Sequence, residues 1–253
     1  MPNSPELAAA LSAAEAAARV IRECYLQPIG VRTKADGSPV TDADVRSEQA
    51  IRAVLGERFP GYAFYGEETG RSGSGDNLWI VDPIDGTKSF VRGYPLFSTQ
   101  IGLERRGALI VGVSCAPLYG ELAWAERGRG AFLNDKPLAV SQISTFEGAA
   151  LSFGNIESLA QSPRWAKLGA IVPRFHRTRG YGDFLHYHLL AAGKIDAVIE
   201  TDVDILDISA LVTIVEEAGG RFTTLDGSRI TQRAESVLAT NGLLHDELLA
   251  ALN

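Results

Sequence analysis

One stretch of the sequence, Leu78-Trp79-Ile80-Val81-Asp82-Pro83-Ile84-Asp85-Gly86-Thr87-Lys88, indicates how the whole chain is organised. Its first four residues are apolar and predict a short buried strand. We expect Asp82 to end this strand, because the following proline cannot donate to a sheet ladder. Asp85 comes three residues later, and Gly86-Thr87 is typical of a helix start. Carboxylates beside the free N–H groups of a helix start favour a divalent cation together with a phosphate. The alternative is a turn in which both aspartates only cap the next helix.

The composition limits the kinds of protein that the chain could be. Its 253 residues suffice for one large domain or two small ones, and 45% of them are hydrophobic, as in ordinary globular proteins. The net charge of −7 argues against nucleic acid as a partner, but allows a phosphorylated substrate if bound metal reverses the local charge. Cys24 and Cys115 are too few for a disulfide framework and predict buried thiols. With no membrane-length apolar run and no basic signal-peptide region, we expect a cytoplasmic protein without a membrane partner.

The residues before the quoted stretch predict two helices, a connector or hairpin between them, and a strand. They are a helix from Pro5 to about Leu26 with Ser4 as N-cap, a connector or hairpin from Ile29 to Val40 turning at Asp36-Gly37, a helix after Thr41, and a strand from Gly61 to Tyr65. Asp44 completes a variant of the capping box, so its simplest role is at the helix N-terminus. Glu67 and Glu68 follow the strand, where two adjacent glutamates are unusual. The glycine- and serine-rich stretch Gly70 to Asp76 predicts a mobile loop.

The residues after the quoted stretch predict two kinds of structure. An antiparallel meander is expected over strands at 98–103, 109–116, 121–125 and 131–133. Beyond about Ser141 we expect strands at 149–153, 175–178, 195–200, 221–225 and 237–240, and helices at 158–168, 182–192 and 207–219 before a closing helix. Asp207 would be the N-cap of the 207–219 helix. We therefore expect an α/β protein with a mixed α+β N-terminal half, residues 1–140, and an α/β C-terminal half, residues 141–253, in one compact unit.

Acidic residues recur where predicted strands end or helices begin. They are Glu67, Asp82, Asp85 and Asp207. Gly-Glu-Glu, then Asp-Pro-Ile-Asp-Gly-Thr, then a capping aspartate in the second half form a specific pattern. In these motifs the chain resembles the inositol monophosphatase-like family of Mg²⁺-dependent, lithium-sensitive phosphatases. The resemblance runs from Lys34 to Gly220. Lys34 itself is compatible with an ordinary surface lysine.

The resemblance implies an αβαβα layered sandwich, a homodimer and an active site with two to three Mg²⁺ ions. It implies that Glu67, Asp82 and the carbonyl of Ile84 hold one metal, and that Asp82, Asp85 and Asp207 hold a second. Glu67, Thr87 and Asp44 would be the catalytic residues that orient the attacking water. Asp85 and the backbone of Gly86 and Thr87 would bind the phosphate of a small phosphorylated substrate.

The residue types also suit this chemistry without the resemblance. Phosphoryl transfer needs mainly positioning and charge neutralisation, and two metals can activate water and stabilise the leaving oxygen. The motifs contain no histidine or cysteine, which favours Mg²⁺ over Zn²⁺. His186 and His188 are two apart on a predicted helix and therefore face different ways.

The segment Arg179-Gly180-Tyr181-Gly182-Asp183-Phe184 resembles the histidinol-phosphatase subgroup, since inositol phosphatases usually place small neutral residues after the glycine. Asp204 stands where the inositol enzymes often carry histidine. An acidic pocket of Asp183, Glu200 and Asp204 would suit the amine and imidazole of histidinol phosphate. Asp183 could instead cap its own helix, and Arg179 could contact phosphate or a dimer partner.

The sequence therefore predicts a phosphomonoesterase that hydrolyses histidinol phosphate, a step of histidine biosynthesis. One alternative is an inositol-1-phosphate or broad sugar-phosphate phosphatase. An alternative of another class is a metal-binding scaffold without catalysis, against which the joint presence of Glu67, Thr87 and Asp44 argues.

Overall fold

A computed structural model of the protein describes residues 3–28, 30–33, 37 and 39–253. In this part of the chain the helices are α1 (Pro5–Cys24), α2 (Asp42–Arg58), α3 (Thr87–Val91), α4 (Ile156–Gln161), α5 (Trp165–Ile171), α6 (Asp183–Ala191), α7 (Ile205–Glu217) and α8 (His245–Leu252). The strands are β1 (Val31–Thr33), β2 (Pro39–Thr41), β3 (Ala63–Gly66), β4 (Gly70–Ser72), β5 (Asn77–Asp85), β6 (Ser98–Arg105), β7 (Ala108–Ala116), β8 (Glu121–Glu126), β9 (Ala131–Leu133), β10 (Lys136–Pro137), β11 (Ala150–Phe153), β12 (Arg177–Arg179), β13 (Ala197–Thr201), β14 (Arg221–Thr223) and β15 (Ser236–Thr240).

The first two helices begin as their capping residues predict. The Ser4 side chain accepts from the Leu7 N–H, and small alanines let α1 pack closely with one face buried. At the start of α2, Thr41 and Asp44 form a complete capping box. The predicted hairpin is present as β1 and β2, which pair antiparallel. Lys34 and Asp36 lie outside the described residues.

The elements stack in five layers, αβαβα, as predicted. A buried cluster joins α1 and α2 to one face of an eight-stranded sheet. A second buried cluster joins the other face of that sheet to α6, α7 and a five-stranded sheet. A third lies between the five-stranded sheet and α4, α5 and α8. The boundary between halves 1–140 and 141–253 stays a prediction, because the second cluster belongs to both.

The order of the eight-stranded sheet positions the acidic motifs. The order is β10-β9-β8-β7-β6-β5-β3-β4, so the predicted meander is confirmed. Within it β3 and β5 are parallel, with Gly66 paired to Val81. The carboxyl ends of parallel strands meet at the same sheet edge, which places Glu67 beside Asp82. The five-stranded sheet has the order β12-β11-β13-β15-β14.

The quoted stretch differs from the prediction in where its strand ends. Asp82 does not end β5, which continues through Pro83 to Asp85 with an irregular register between the two aspartates. Proline is tolerated at such a bulge because the ladder is locally interrupted there. The Pro83 carbonyl instead accepts from the Thr99 hydroxyl at 2.8 Å.

Three other predictions about local structure were wrong. Gly70–Ser72 is not a loop but the edge strand β4, antiparallel to β3. The predicted 158–168 helix is two helices, α4 and α5, because Pro163 lacks an N–H and disfavours helical backbone before it. The N-cap of α7 is Asp204, and Asp207 is the third helical residue of the same capping box.

Candidate metal centre and active site

Three carboxylates from two separate segments meet at one end of the central layer. Asp82, Asp85 and Asp207 each offer an oxygen, and these oxygens lie within 4.8 Å of one another. The bulged end of β5 supplies the first two, and the first turn of α7 supplies the third. Backbone groups orient two of them. The Ile84 N–H donates to Asp82 Oδ1 at 2.9 Å, and the Asp204 N–H donates to Asp207 Oδ2 at 2.8 Å.

Glu67 is the fourth acidic residue of this group. It follows β3 directly, and its own N–H donates to the Val81 carbonyl at 3.2 Å, which ties it to β5. Its charge is close enough to raise the pKa of Asp82, second only to the effect of burial. Strand pairing has therefore brought Glu67 and Asp82 together from different parts of the sequence.

The electrostatics of the group favour a bound cation. Burial, and then the charges of neighbouring carboxylates, raise the pKa values of Asp82 and Asp85 well above normal. Burial is also the largest influence on Asp207, whose pKa rises to about 7. A divalent cation would relieve this repulsion, and an all-oxygen set of carboxylates is what Mg²⁺ prefers. The side chains present therefore fit Mg²⁺.

Thr87 and Asp44 lie next to the carboxylates. The Thr87 hydroxyl is 3.0 Å from both Asp44 Oδ1 and the Ile84 carbonyl oxygen. Asp44 is fully buried, and its other oxygen accepts from the N–H and hydroxyl of Thr41. Burial raises the pKa of Asp44, although the Thr41 hydrogen bonds oppose this.

Gly86 makes the sharp turn between β5 and α3. Its φ is +92°, and a Cβ there would lie 2.7 Å from the Leu96 carbonyl oxygen, so only glycine fits. Helix α3 begins directly after this turn, at Thr87, and the N–H groups of a first helical turn have no acceptor within the helix.

An open cleft of about 600 Å³ leads to this group. Its wall combines the acidic residues with a lysine and a tyrosine, Lys88 and Tyr94. The lining residues from the later part of the chain are Asn155, Asp183, Asp202, Val203, Asp204 and Asp207. The cleft thus combines the clustered carboxylates with three further ones, Asp183, Asp202 and Asp204.

Comparisons with known proteins identify the family. The model of the inositol monophosphatase family matches residues 3–253. The chain belongs to the inositol monophosphatase family. A histidinol-phosphatase of Mycobacterium tuberculosis is 44% identical over 229 residues, covering 88% of each protein. An inositol-1-monophosphatase of Caulobacter vibrioides is 34% identical, covering 96% of this chain and 98% of that protein. The solved structure of the extragenic suppressor protein suhB from Bartonella henselae superposes with a TM-score of 0.90 at 30% identity, covering 99% of both chains.

The four residues predicted to bind substrate, Asp183, Glu200, Asp204 and Arg179, have different surroundings in the structure. Asp183 is the first residue of α6 and lines the cleft; Gly182, not Asp183, is the N-cap. Burial and the charge of Glu200 raise the pKa of Asp183 to about 6. Asp204 also lines the cleft, but one oxygen accepts from the Leu206 N–H as the α7 cap. Arg179 is exposed at the end of β12, bonds to the Thr178 carbonyl, and is not among the described cleft residues.

Glu200 is held by its own buried network. Its Oε2 accepts from the Tyr187 hydroxyl at 2.6 Å and lies 3.1 Å from His186 Nε2. It also borders a pocket of about 40 Å³ that includes Asp85 and Asp183. His188 instead contacts Glu121 and Ser114, so the two histidines have different partners, as predicted.

Lys88, Asn155 and Asp202 are among the cleft residues that sequence reasoning missed. Lys88 directly follows the Asp-Pro-Ile-Asp-Gly-Thr motif, and this adjacency was an available signal. Asn155 and Asp202 had no such signal. Both have left-handed backbone, with φ of +47° and +58°, and the Asn155 amide donates to the Thr201 and Asp202 carbonyls. Only pairing of β11 with β13 brings them together.

The raised pKa values predict how stability depends on pH and Mg²⁺. The pKa of Asp207 is about 7 in the folded chain against a normal value of 3.8. Between these values the unfolded chain ionises while the folded site keeps its proton, so this group makes the metal-free protein less stable as pH rises. Mg²⁺ should remove the penalty. We expect Mg²⁺ to raise the melting temperature more at about pH 8 than at about pH 5, measured by thermal unfolding in chelator and in MgCl₂.

The control for this experiment is KCl at matched ionic strength, which should reproduce little of the effect. An equal Mg²⁺-induced shift at both pH values would contradict the assignment of these carboxylates as a cation site.

Proposed function

We propose that the protein is a Mg²⁺-dependent phosphomonoesterase that hydrolyses histidinol phosphate to histidinol and phosphate. The observation that carries the proposal is the convergence of Asp82, Asp85 and Asp207 on one cleft, beside the Thr87–Asp44 pair. The histidinol-phosphatase of M. tuberculosis, at 44% identity, supports the substrate. Histidinol phosphate would make this a reaction of histidine biosynthesis.

The residues suit hydrolysis of a phosphate ester by water. In the reaction a bond forms between the water oxygen and phosphorus, the bond from phosphorus to the ester oxygen breaks, and the proton lost by the water ends, in net balance, on the oxygen of the released alcohol. Two to three Mg²⁺ ions held by Glu67, the Ile84 carbonyl and the three aspartates would neutralise phosphate charge and make water more acidic. The Gly86 and Thr87 N–H groups would bind phosphate oxygens beside Asp85. The Thr87 hydroxyl can give its proton to Asp44 and accept a hydrogen bond from the attacking water, which Glu67 would help to orient.

The acidic side of the cleft suits a cationic leaving group. Asp183, Asp202 and Asp204 line it. The primary amine of histidinol would be attracted to these carboxylates, whereas inositol offers only hydroxyl groups. Because Glu200 already accepts from Tyr187, we assign it to positioning the site and Asp183 to direct contact with the amine.

An inositol-phosphate phosphatase remains the second candidate, supported by the inositol-1-monophosphatase of C. vibrioides at 34% identity. A catalytically inactive scaffold is less well supported, since the Thr87–Asp44 contact is retained at 3.0 Å. Phosphate release from histidinol phosphate and inositol-1-phosphate, with Mg²⁺ and with chelator, separates the three functions. We expect Mg²⁺-dependent release with the higher kcat/KM on histidinol phosphate.

Asp183→Asn tests the amine contact. Removing a charge-assisted hydrogen bond worth about 1.5–3 kcal/mol should lower kcat/KM for histidinol phosphate roughly ten- to a hundred-fold. Hydrolysis of a neutral ester such as inositol-1-phosphate should change little. Asparagine tolerates the left-handed backbone of this position, where φ is +46°, so the fold is kept. The measured quantity is the ratio of the two kcat/KM values, at a pH above the Asp183 pKa of about 6.

Asp246→Asn is the matched control, because Asp246 is also in a first helical turn but pairs with Arg221 at the surface. It should leave the ratio unchanged. If Asp183→Asn lowers both activities equally, the residue has a structural role and the histidinol assignment loses its main support.

Other predictions concern the protein's surroundings. Within the described part of the chain, no helix has both the length and the apolar character needed to cross a bilayer. A cytoplasmic location and a homodimer remain predictions; gel filtration with light scattering would test the dimer.

A further inference from the structure

One face of α2 carries three polar side chains at successive turns. Asp44, Glu48 and Arg52 are four residues apart, the spacing that aligns side chains along one side of a helix. Asp44 reaches Thr87, as described above. Glu48 and Arg52 contact a different segment, the turn that follows β3 and carries Glu67.

Glu48 binds this turn through two backbone groups. The Glu68 N–H donates to Glu48 Oε2 at 2.7 Å, and the Thr69 N–H donates to Oε1 at 2.9 Å. Glu48 has no exposed surface. A buried carboxylate is costly unless hydrogen-bonded, and here both oxygens are used on the two residues immediately after Glu67.

The residues around Glu48 also fit this contact. A Cβ at Gly66 would lie 2.5 Å from the Glu48 carboxylate, so the residue before Glu67 must be glycine for Glu48 to fit. Arg52 holds the far side of the turn, with Nη1 3.0 Å from the Thr69 hydroxyl and Nη2 2.7 Å from the Ser72 hydroxyl. The turn is thus fixed by side chains of one rigid helix.

We propose that Glu48 is a positioning residue for Glu67. This proposal rests on the proposed function, in which Glu67 is a metal ligand. Glu67 must lie beside Asp82 for the two to hold one metal, and its N–H donates to the Val81 carbonyl of the neighbouring strand at 3.2 Å. The two hydrogen bonds to Glu48 prevent the turn from relaxing. Because Asp44 is on the same helix, α2 also fixes the Glu67 turn relative to Thr87. Holding a ligand in its binding position before the metal arrives lowers the Mg²⁺ concentration that the enzyme requires.

Glu48→Gln tests this role with nearly unchanged shape. The amide keeps one acceptor but turns an NH₂ group toward the second N–H, so the turn loses one anchor. We expect the Mg²⁺ concentration for half-maximal activity to rise about ten-fold or more. We expect the KM for substrate at saturating Mg²⁺ to stay within about three-fold, since Glu48 is not a cleft residue. The Mg²⁺-induced rise in melting temperature should need correspondingly more Mg²⁺, and this readout requires no turnover.

Two further variants complete the design. Ser47→Ala is the control, because Ser47 is equally buried on α2 and its hydroxyl has no hydrogen-bond partner among the described residues. It should leave the Mg²⁺ dependence unchanged. Gly66→Ala displaces the Glu48 carboxylate without removing it, and should raise the Mg²⁺ requirement even if Glu48→Gln does not fold.

The outcomes separate the positioning role from the function itself. A lower melting temperature with an unchanged Mg²⁺ dependence, in Glu48→Gln or in Gly66→Ala, would overturn the positioning role and leave Glu48 as a purely structural residue. A wild-type protein that binds Mg²⁺ without releasing phosphate would overturn the proposed function, while the thermal shifts would still test Glu48.

Discussion

Replacement of Asp82 by asparagine is expected to lower kcat/KM at least about a thousand-fold, because metal-assisted charge stabilisation contributes several kcal/mol to phosphoryl transfer. Asp82 is the most buried carboxylate of the cluster, at 3% exposure, and is assigned to both metals. The fold should be retained, since the asparagine oxygen can still accept from the Ile84 N–H.

The same variant is also expected to be more stable than the wild type when no metal is bound. Burial and the charge of Glu67 raise the pKa of Asp82, so the ionised residue destabilises the metal-free protein. Asp82→Asn should therefore melt at a higher temperature than the wild type in chelator at about pH 8, and gain less from Mg²⁺. Loss of activity with a gain of stability is characteristic of a functional carboxylate and not of a structural one.

Asp76→Asn is the control for Asp82→Asn, because Asp76 is an exposed aspartate paired with Arg106. It should keep full activity. A folded Asp82→Asn protein with wild-type turnover at saturating Mg²⁺ would refute the metal assignment.

Thr87→Val is expected to lower kcat by about 10²–10⁴-fold, the range of positioned proton-transfer groups. Valine has nearly the same shape but no hydroxyl, so the contact to Asp44 at 3.0 Å disappears and the attacking water loses its orienting acceptor. Since no carboxylate is removed, the Mg²⁺ concentration for half-maximal activity should change little. Steady-state kinetics across an Mg²⁺ titration measure both quantities.

Thr87→Ser retains the hydroxyl and provides the matched control; it should keep activity within about ten-fold of the wild type. If the valine variant is as active as the serine variant, Thr87 only stabilises the start of α3 and the water is oriented by other groups.

Local signals in the sequence were sufficient for most elements. The N-caps Ser4 and Thr41 predicted helix starts, because capping depends on groups only a few residues apart. Alternating apolar residues predicted the meander for the same reason. The failures came where pairing overrode local pattern. Gly70–Ser72 has the composition of a loop, yet it pairs with the edge of β3 and forms strand β4.

The candidate site shows the same division between local and distant information. Asp82, Asp85 and Thr87 share one short motif, so their proximity could be read from the sequence. Glu67 and Asp207 were noticed at a predicted strand end and a predicted helix start, and the family resemblance gave them their expected roles. Their closeness to Asp82 depends on strand pairing and on α7 packing against the sheet. The predicted contact residue Arg179 lies at an exposed strand end, which its sequence neighbours did not reveal.

By itself, the sequence determined the α/β class and the family, because these depend on residue types at short, fixed spacing, and it predicted the chemistry of the acidic motifs. Tertiary structure alone decided which groups surround each carboxylate. One oxygen of Glu200 accepts from the Tyr187 hydroxyl, and Glu48 anchors the turn after Glu67. The physical reason is that hydrogen-bond partners and burial are set by segments far apart in the chain, and these segments meet only when the layers pack.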